Sequence, residues 1–156
     1  MINQKYQNAV NRIKQHPELS DFNGGVPEEI VVKAEKLLGL KFPESYRDFL
    51  LQFGVGNFGF IEIYGIINDD FYNSGVPDAV WYTLQEREEV NFPLNLIVIH
   101  DTSGGELFCL DTSQPNAPVV TYHIGYDIEV QTYEVIANDF GEFLLERVEF
   151  VLNSPD

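Results

Sequence analysis

The residues best suited to chemistry in this 156-residue chain gather between positions 100 and 127. His100-Asp101 and His123 with Asp127 twice set an imidazole beside a carboxylate. Brought together in space, they would offer zinc or iron two nitrogen and two oxygen donors. Neither pair has the spacing of a metal motif. His100, Asp101 and Ser103 carry the side chains of a nucleophilic triad. Groups this close on one turn rarely align a hydroxyl, a base and a carboxylate, and Ser103 does not sit in a G-x-S-x-G elbow. Ser103-Gly104-Gly105 reads as a hairpin turn instead. Its glycines open no helix, so they form no phosphate cradle. Cys109, the single cysteine, lies in the apolar run Leu107 to Leu110 and reads as a small core residue with no disulfide to make. This reading assigns no catalytic residue, no metal and no cofactor.

Acids and aromatics remain, and their distribution is uneven. Residues 1–50 hold seven Lys/Arg and seven Asp/Glu. Residues 51–156 hold Arg87 and Arg147 against eighteen acids, so the net charge of −16 belongs entirely to the last two-thirds. With eighteen carboxylates present, any glycosidase-like pair can be picked after the fact and means little. The charge argues against nucleic acid, which is held by Lys/Arg phosphate contacts, and against an anionic membrane surface. The acids cluster at Asp69-Asp70, Glu86 with Glu88-Glu89, Asp101 with Glu106, Asp127 with Glu129, and on the final helix; those expected to meet a partner run from Glu62 to Glu106. Phe71, Tyr72, Trp81 and Tyr82 lie among them. Such a mixture of carboxylates and aromatic anchors is what a tight protein interface uses against Arg and Lys. These twelve residues are the expected partner-binding set. Any single acidic cluster also fits a solvated face that keeps the chain soluble.

The elements that must position them follow from the patterning. Ile2, Tyr6, Ala9 and Ile13 make one helical face, ended by Pro17. Pro27 and Pro43 open two more helices, closed by Gly39 and Gly54. Val55 to Gly59 reads as a turn, Phe60 to Ile67 as a strand and Asn68 to Pro77 as a loop. Asp78 caps a helix to about Val90, although Val80 to Leu84 also suits a strand. Leu94 to His100 and Glu106 to Asp111 form a hairpin, and Val119 to His123 and Gln131 to Ile136 form two further strands. Asp139 and Glu142 have capping-box spacing before a last helix. The expected fold is α+β: N-terminal helices and a C-terminal helix packed on a mainly antiparallel sheet, in one domain over residues 1–156. No apolar run has the length of a signal peptide or a spanning helix, so the expected compartment is the cytoplasm.

Three stretches together resemble a known family. They are Ile30 to Gly59 (its kernel LGLKFPESYRDFLLQFGVGNFG from Leu38), Leu96 to Asp111 (LIVIHDTSGGELFCLD) and Val135 to Val148 (VIANDFGEFLLERV). Their order and spacing are similar to the SUKH superfamily of Smi/Knr-type domains, over roughly residues 26–150; residues 68–93 match no motif of it. The resemblance implies a non-catalytic binding protein. One branch implies an immunity protein that neutralises a cognate toxin, often a nuclease, by protein–protein contact. The other implies a regulatory adaptor like the fungal cell-wall regulators. The oligomeric state stays open.

Overall fold

Proline starts two of the helices in the first third of the chain. In the computed structural model, which describes residues 2–155, Pro27 and Pro43 have φ of −64° and −62° and extended ψ, one position ahead of their helices. They lead into α2 (Glu28–Leu38) and α3 (Glu44–Gln52). Ahead of both runs α1 (Gln4–Gln15), capped by the Asn3 side chain, which accepts the Tyr6 N–H at 3.0 Å. Gly39 ends α2 at φ 71°, where a side chain would be strained. Glu35 on α2 is buried; it accepts the Phe42 N–H at 2.9 Å and lies 3.7 Å from Arg47 on α3. Arg47 also reaches Glu28 at 2.9 Å, so the two helices are stitched along their length.

The last helix, α5 (Phe140–Leu152), returns to α1. Gly141 permits the close approach: a Cβ there would lie 2.8 Å from that of Tyr6. The Phe140 ring centroid lies 5.0 Å from that of Tyr46 and 5.5 Å from that of Phe49. Tyr46 is fully enclosed and donates its hydroxyl to the Tyr64 carbonyl at 2.9 Å, satisfying the one polar group in that aromatic cluster.

The strands are antiparallel, as expected, but make two sheets rather than one. The first has the order β1 (Ser20–Phe22), β2 (Gly56–Phe58), β3 (Ile61–Ile63). The second is a meander of β4 (Leu96–Asp101), β5 (Glu106–Asp111), β6 (Val119–His123) and β7 (Val135–Ala137). The turn expected over residues 55–59 is partly strand, and the strand expected over residues 60–67 stops at Ile63. The chain leaves the first sheet there to join the second. The Tyr64 N–H donates to Ile99 at 3.1 Å, and His100 Nδ1 lies 3.1 Å from the Glu62 carbonyl. Side chains of all five helices and both sheets belong to one hydrophobic cluster.

Between the sheets the chain makes an excursion, residues 64–78, that ends in α4 (Ala79–Glu89). Asp78 closes it. The residue is wholly buried, and its carboxylate accepts the N–H of Ile67 at 2.9 Å and of Trp81 at 2.9 Å. One carboxylate thus caps α4 and ties it to the chain leaving β3. Gly65 completes the junction: the Ala79 N–H donates to its carbonyl at 2.7 Å, and a Cβ on it would run into the Gly54 carbonyl. Asp78→Ala removes the cap and leaves the Ile67 N–H without its acceptor, an expected loss of about 2–4 kcal/mol in urea denaturation. Asp78→Asn, which keeps one carbonyl oxygen, is expected to lose less.

Candidate functional site

Eleven of the twelve expected partner-binding residues reach solvent at least in part; Phe71 does not. It is 2% exposed and belongs to the core cluster. The correction has a simple cause. Phenylalanine is the side chain in Asp70-Phe71-Tyr72 that can be buried in the core without stranding a polar atom. Tyr72 beside it is 62% exposed. Asp69 and Asp70 are exposed: Asp69 lies 3.4 Å from Lys33 of α2, and Asp70 accepts from the Asn73 amide at 3.1 Å.

A second group forms one wall. Tyr82 and Glu86 stand a turn apart on α4 and face the end of β4. The Tyr82 hydroxyl donates to Asp101 at 2.7 Å. The Tyr64 ring lies 5.9 Å from both Tyr82 and His100. Trp81 sits edge-on to Tyr82, with ring centroids 6.3 Å apart. Burial raises the Tyr82 phenol, and the Asp101 carboxylate beside it adds to the effect. Burial, with Asp101 and Glu62 nearby, pushes Tyr64 up to about 12. Glu86 is also raised, by burial first and then by Glu89 and Asp101. Glu88 and Glu89 are exposed at the end of α4.

Glu106 departs from this wall. Leu107 opposes Asp101 across the hairpin, so Glu106, one residue on, leaves the sheet by the other face. That face carries His100, Phe108 and the α5 side chains. Arg147 of α5 lies over the rings of Phe108 and Phe143, at 5.5 and 5.1 Å from their centroids. Sequence reasoning missed Tyr64, buried against Tyr82 and His100, and Arg147, which covers the other face. The isolation of Arg147 among eighteen acids was the available signal. His100 and His123, weighed for a metal, have other partners: His100 the Glu62 carbonyl, His123 the stacked ring of Tyr126 at 4.9 Å. Among the described residues no group of three or more His, Cys, Asp and Glu is arranged to hold a metal ion. None of their helices is long and apolar enough to cross a membrane.

The sequence model of the SUKH_6 family, described as SMI1-KNR4 cell-wall, matches residues 28–144, three-quarters of the chain. The chain belongs to that family. The SMI1-KNR4 match starts at the first residue of α2 and ends inside α5. It therefore spans both sheets apart from β1, and every residue of the wall around Tyr82. Helix α1 lies outside it.

On this SMI1-KNR4 scaffold the two arginines after residue 50 are held by backbone and aromatic rings rather than by carboxylates. Arg87 donates to the Leu94 carbonyl at 2.9 Å, and burial lowers its pKa. Arg147 rests on its two rings, and neither arginine enters an ion pair among the described residues. Of the acids after residue 50, Asp69 and Glu142 are the two in ion pairs there, and both use lysines from the N-terminal third.

His100 is lowered, first by burial and then by Arg147, against the opposing pull of the Glu62 carbonyl. The unfolded chain therefore binds a proton at His100 more readily than the folded one. That histidine's contribution is full above about pH 6.5 and is lost as pH falls below it. Glu86 and Asp78, both raised, act with the opposite sign at lower pH. The His100→Gln variant is expected to lose less stability than the parent between pH 7 and pH 5. Urea midpoints at the two pH values give the comparison, and equal losses would contradict it.

Proposed function

We propose that this SMI1-KNR4 domain is an immunity protein, which binds a cationic toxin domain of nuclease type and neutralises it by contact rather than by chemistry. The observation that carries the reading is the electrostatic one. Eighteen acids stand against two arginines after residue 50, and both arginines are turned inward on rings or backbone. Self-repulsion on that scale works against a folded chain, and a cationic partner relieves it. Nucleases carry basic substrate grooves, and carboxylates spaced on a rigid surface can occupy such a groove in place of phosphates. The wall of Glu62, Tyr82, Glu86 and Asp101, with the exposed Glu88 and Glu89, would steer and pair. Trp81 and Tyr72 would anchor. The site of action is the cytoplasm, where the toxin would be met before it acts.

Co-expression with candidate toxin domains tests this, read as cell survival and co-purification. An antidote must win a race, and electrostatic steering lifts association toward about 10⁸–10⁹ M⁻¹s⁻¹ at low salt. The association rate is therefore expected to fall at least about tenfold between about 20 and 300 mM salt in stopped-flow. A salt-insensitive rate would remove the acidic face from the mechanism. Trp81→Ala is expected to shorten the lifetime of the complex about tenfold while leaving the association rate unchanged.

The family description, cell-wall, favours a second reading: a regulatory adaptor for a cellular protein. An adaptor would co-purify with its partner yet give no protection against any toxin domain.

A further inference from the structure

Among the described residues, the twelve large apolar side chains left exposed are not spread evenly. Seven of them fall between residues 90 and 135, and they include Val90, Ile124, Tyr126, Ile128, Val130 and Val135. Three of these, Val90, Tyr126 and Ile128, line one cleft of about 450 Å³ between the end of α4 and the loop after β6. Tyr122 forms part of its lining and is fixed from below, its ring centroid 4.8 Å from that of Phe92.

The loop is held rather than slack. Gln131 acts as a one-residue strand beside β6: its amide accepts the His123 N–H at 2.8 Å and returns a hydrogen bond to the His123 carbonyl at 2.6 Å. The same amide reaches the Tyr126 carbonyl at 3.3 Å. Asp127 leads into a 3-10 turn, Ile128–Val130. The Tyr126 ring stacks on His123 at an interplanar angle of 20°. None of this buries Tyr126, Ile128 or Val130, which are 55%, 43% and 58% exposed. Fixed apolar side chains that a fold presents to water mark a contact surface, and presenting them in a set geometry lowers the ordering cost of binding.

Charge says what that surface meets. From Glu88 to Glu146 there are eleven acids and no lysine or arginine. Asp127 and Glu129 line the cleft itself, and Val90, which follows Glu88 and Glu89 in the chain, brings the end of α4 to its rim. A second copy of this chain would bring the same acids against them. A cationic surface would pair with them while its apolar side chain fills the cleft.

We propose that the cleft between Val90 and Ile128 is the docking centre for a cationic protein partner, which inserts one apolar side chain flanked by Lys or Arg. The proposal rests on the cationic partner of the preceding section. It adds to Trp81 and Tyr72 a contact loop whose apolar side chains the sequence pattern did not single out.

The test uses the full chain, labelled with ¹⁵N and titrated with a synthetic amphipathic peptide of Lys and Leu. A matching peptide of Glu and Leu is the control. The proposal expects shifts concentrated at Val90, Tyr126, Ile128 and Val130 with the Lys/Leu peptide, none with the Glu/Leu peptide, and at least about tenfold weaker binding in Ile128→Ser. Phe60→Ser, at a 61% exposed position between β2 and β3, is expected to change affinity less than about twofold. Both substitutions are at exposed positions, and an unchanged spectrum elsewhere certifies the fold. Shifts scattered over all acidic segments, or full affinity in Ile128→Ser, would overturn the proposal. So would concentration-dependent self-association that Ile128→Ser abolishes, because the face would then belong to a second copy. If a toxin domain binds and Ile128→Ser holds it as tightly as the parent, the cleft fails and the immunity reading stands. If no toxin domain binds but the Lys/Leu peptide seats in the cleft, the immunity reading fails and the cleft stands.

Discussion

One buried carboxylate organises the half of the molecule that carries α4 and the wall around Tyr82. Asp78 holds the start of α4 and the chain leaving β3 through two backbone N–H groups, each at 2.9 Å. Burial raises its pKa, and those same N–H bonds work against the rise. The arrangement matters because α4 carries Trp81, Tyr82 and Glu86, and its end lies beside the cleft lined by Ile128. Without Asp78 the start of α4 loses its tie to the chain leaving β3. Gly65 permits the same junction sterically, since any side chain there would meet the Gly54 backbone.

Around that junction the chain divides its labour by charge. The N-terminal third is balanced: Arg47 with Glu28 and Glu35 joins α2 to α3, while Lys5 and Lys33 reach out to Glu142 and Asp69. The later two-thirds contribute sheet, α4 and α5, and almost no cations. Core packing makes up the stability that self-repulsion removes. The cluster built on Tyr46, Phe49 and Phe140 unites the helices, and Phe108 with Phe143 binds α5 to the second sheet. Arg147 extends the same stack as a cation over rings. It therefore stabilises packing without neutralising the surface.

The sequence made much of this readable, for reasons that differ by element. Helices α2 and α3 are bracketed by Pro and Gly, whose backbone restrictions are local and leave an unmistakable pattern. Asp78 and Asp139 cap α4 and α5 as their spacing suggests, with the N–H of Trp81 at 2.9 Å and of Glu142 at 2.8 Å. The three-residue strands β1 and β2 were illegible: Ser20–Phe22 is too short to alternate, and Gly56 inside β2 reads as a turn. The strand read over residues 60–67 was cut at Ile63 because its later residues bond to β4 and α4 rather than along the first sheet. At the candidate site, acids and aromatics could be counted, but not sorted by face. Phe71 went to the core and Glu106 to the opposite side of the hairpin, outcomes set by tertiary packing. The apolar loop of residues 124–130 was passed over because its stability comes from Gln131, a side chain standing in for a strand.

The central claim is that the acidic, sheet-bearing part of this SMI1-KNR4 domain is the face that meets its partner. Hydrogen–deuterium exchange of the domain, free and bound to a co-purified partner, tests it most directly. The account predicts new protection in α4, in the turn between β4 and β5 and in residues 122–130, with α1 to α3 unchanged. Protection confined to the charge-balanced helices α1 to α3 would contradict it.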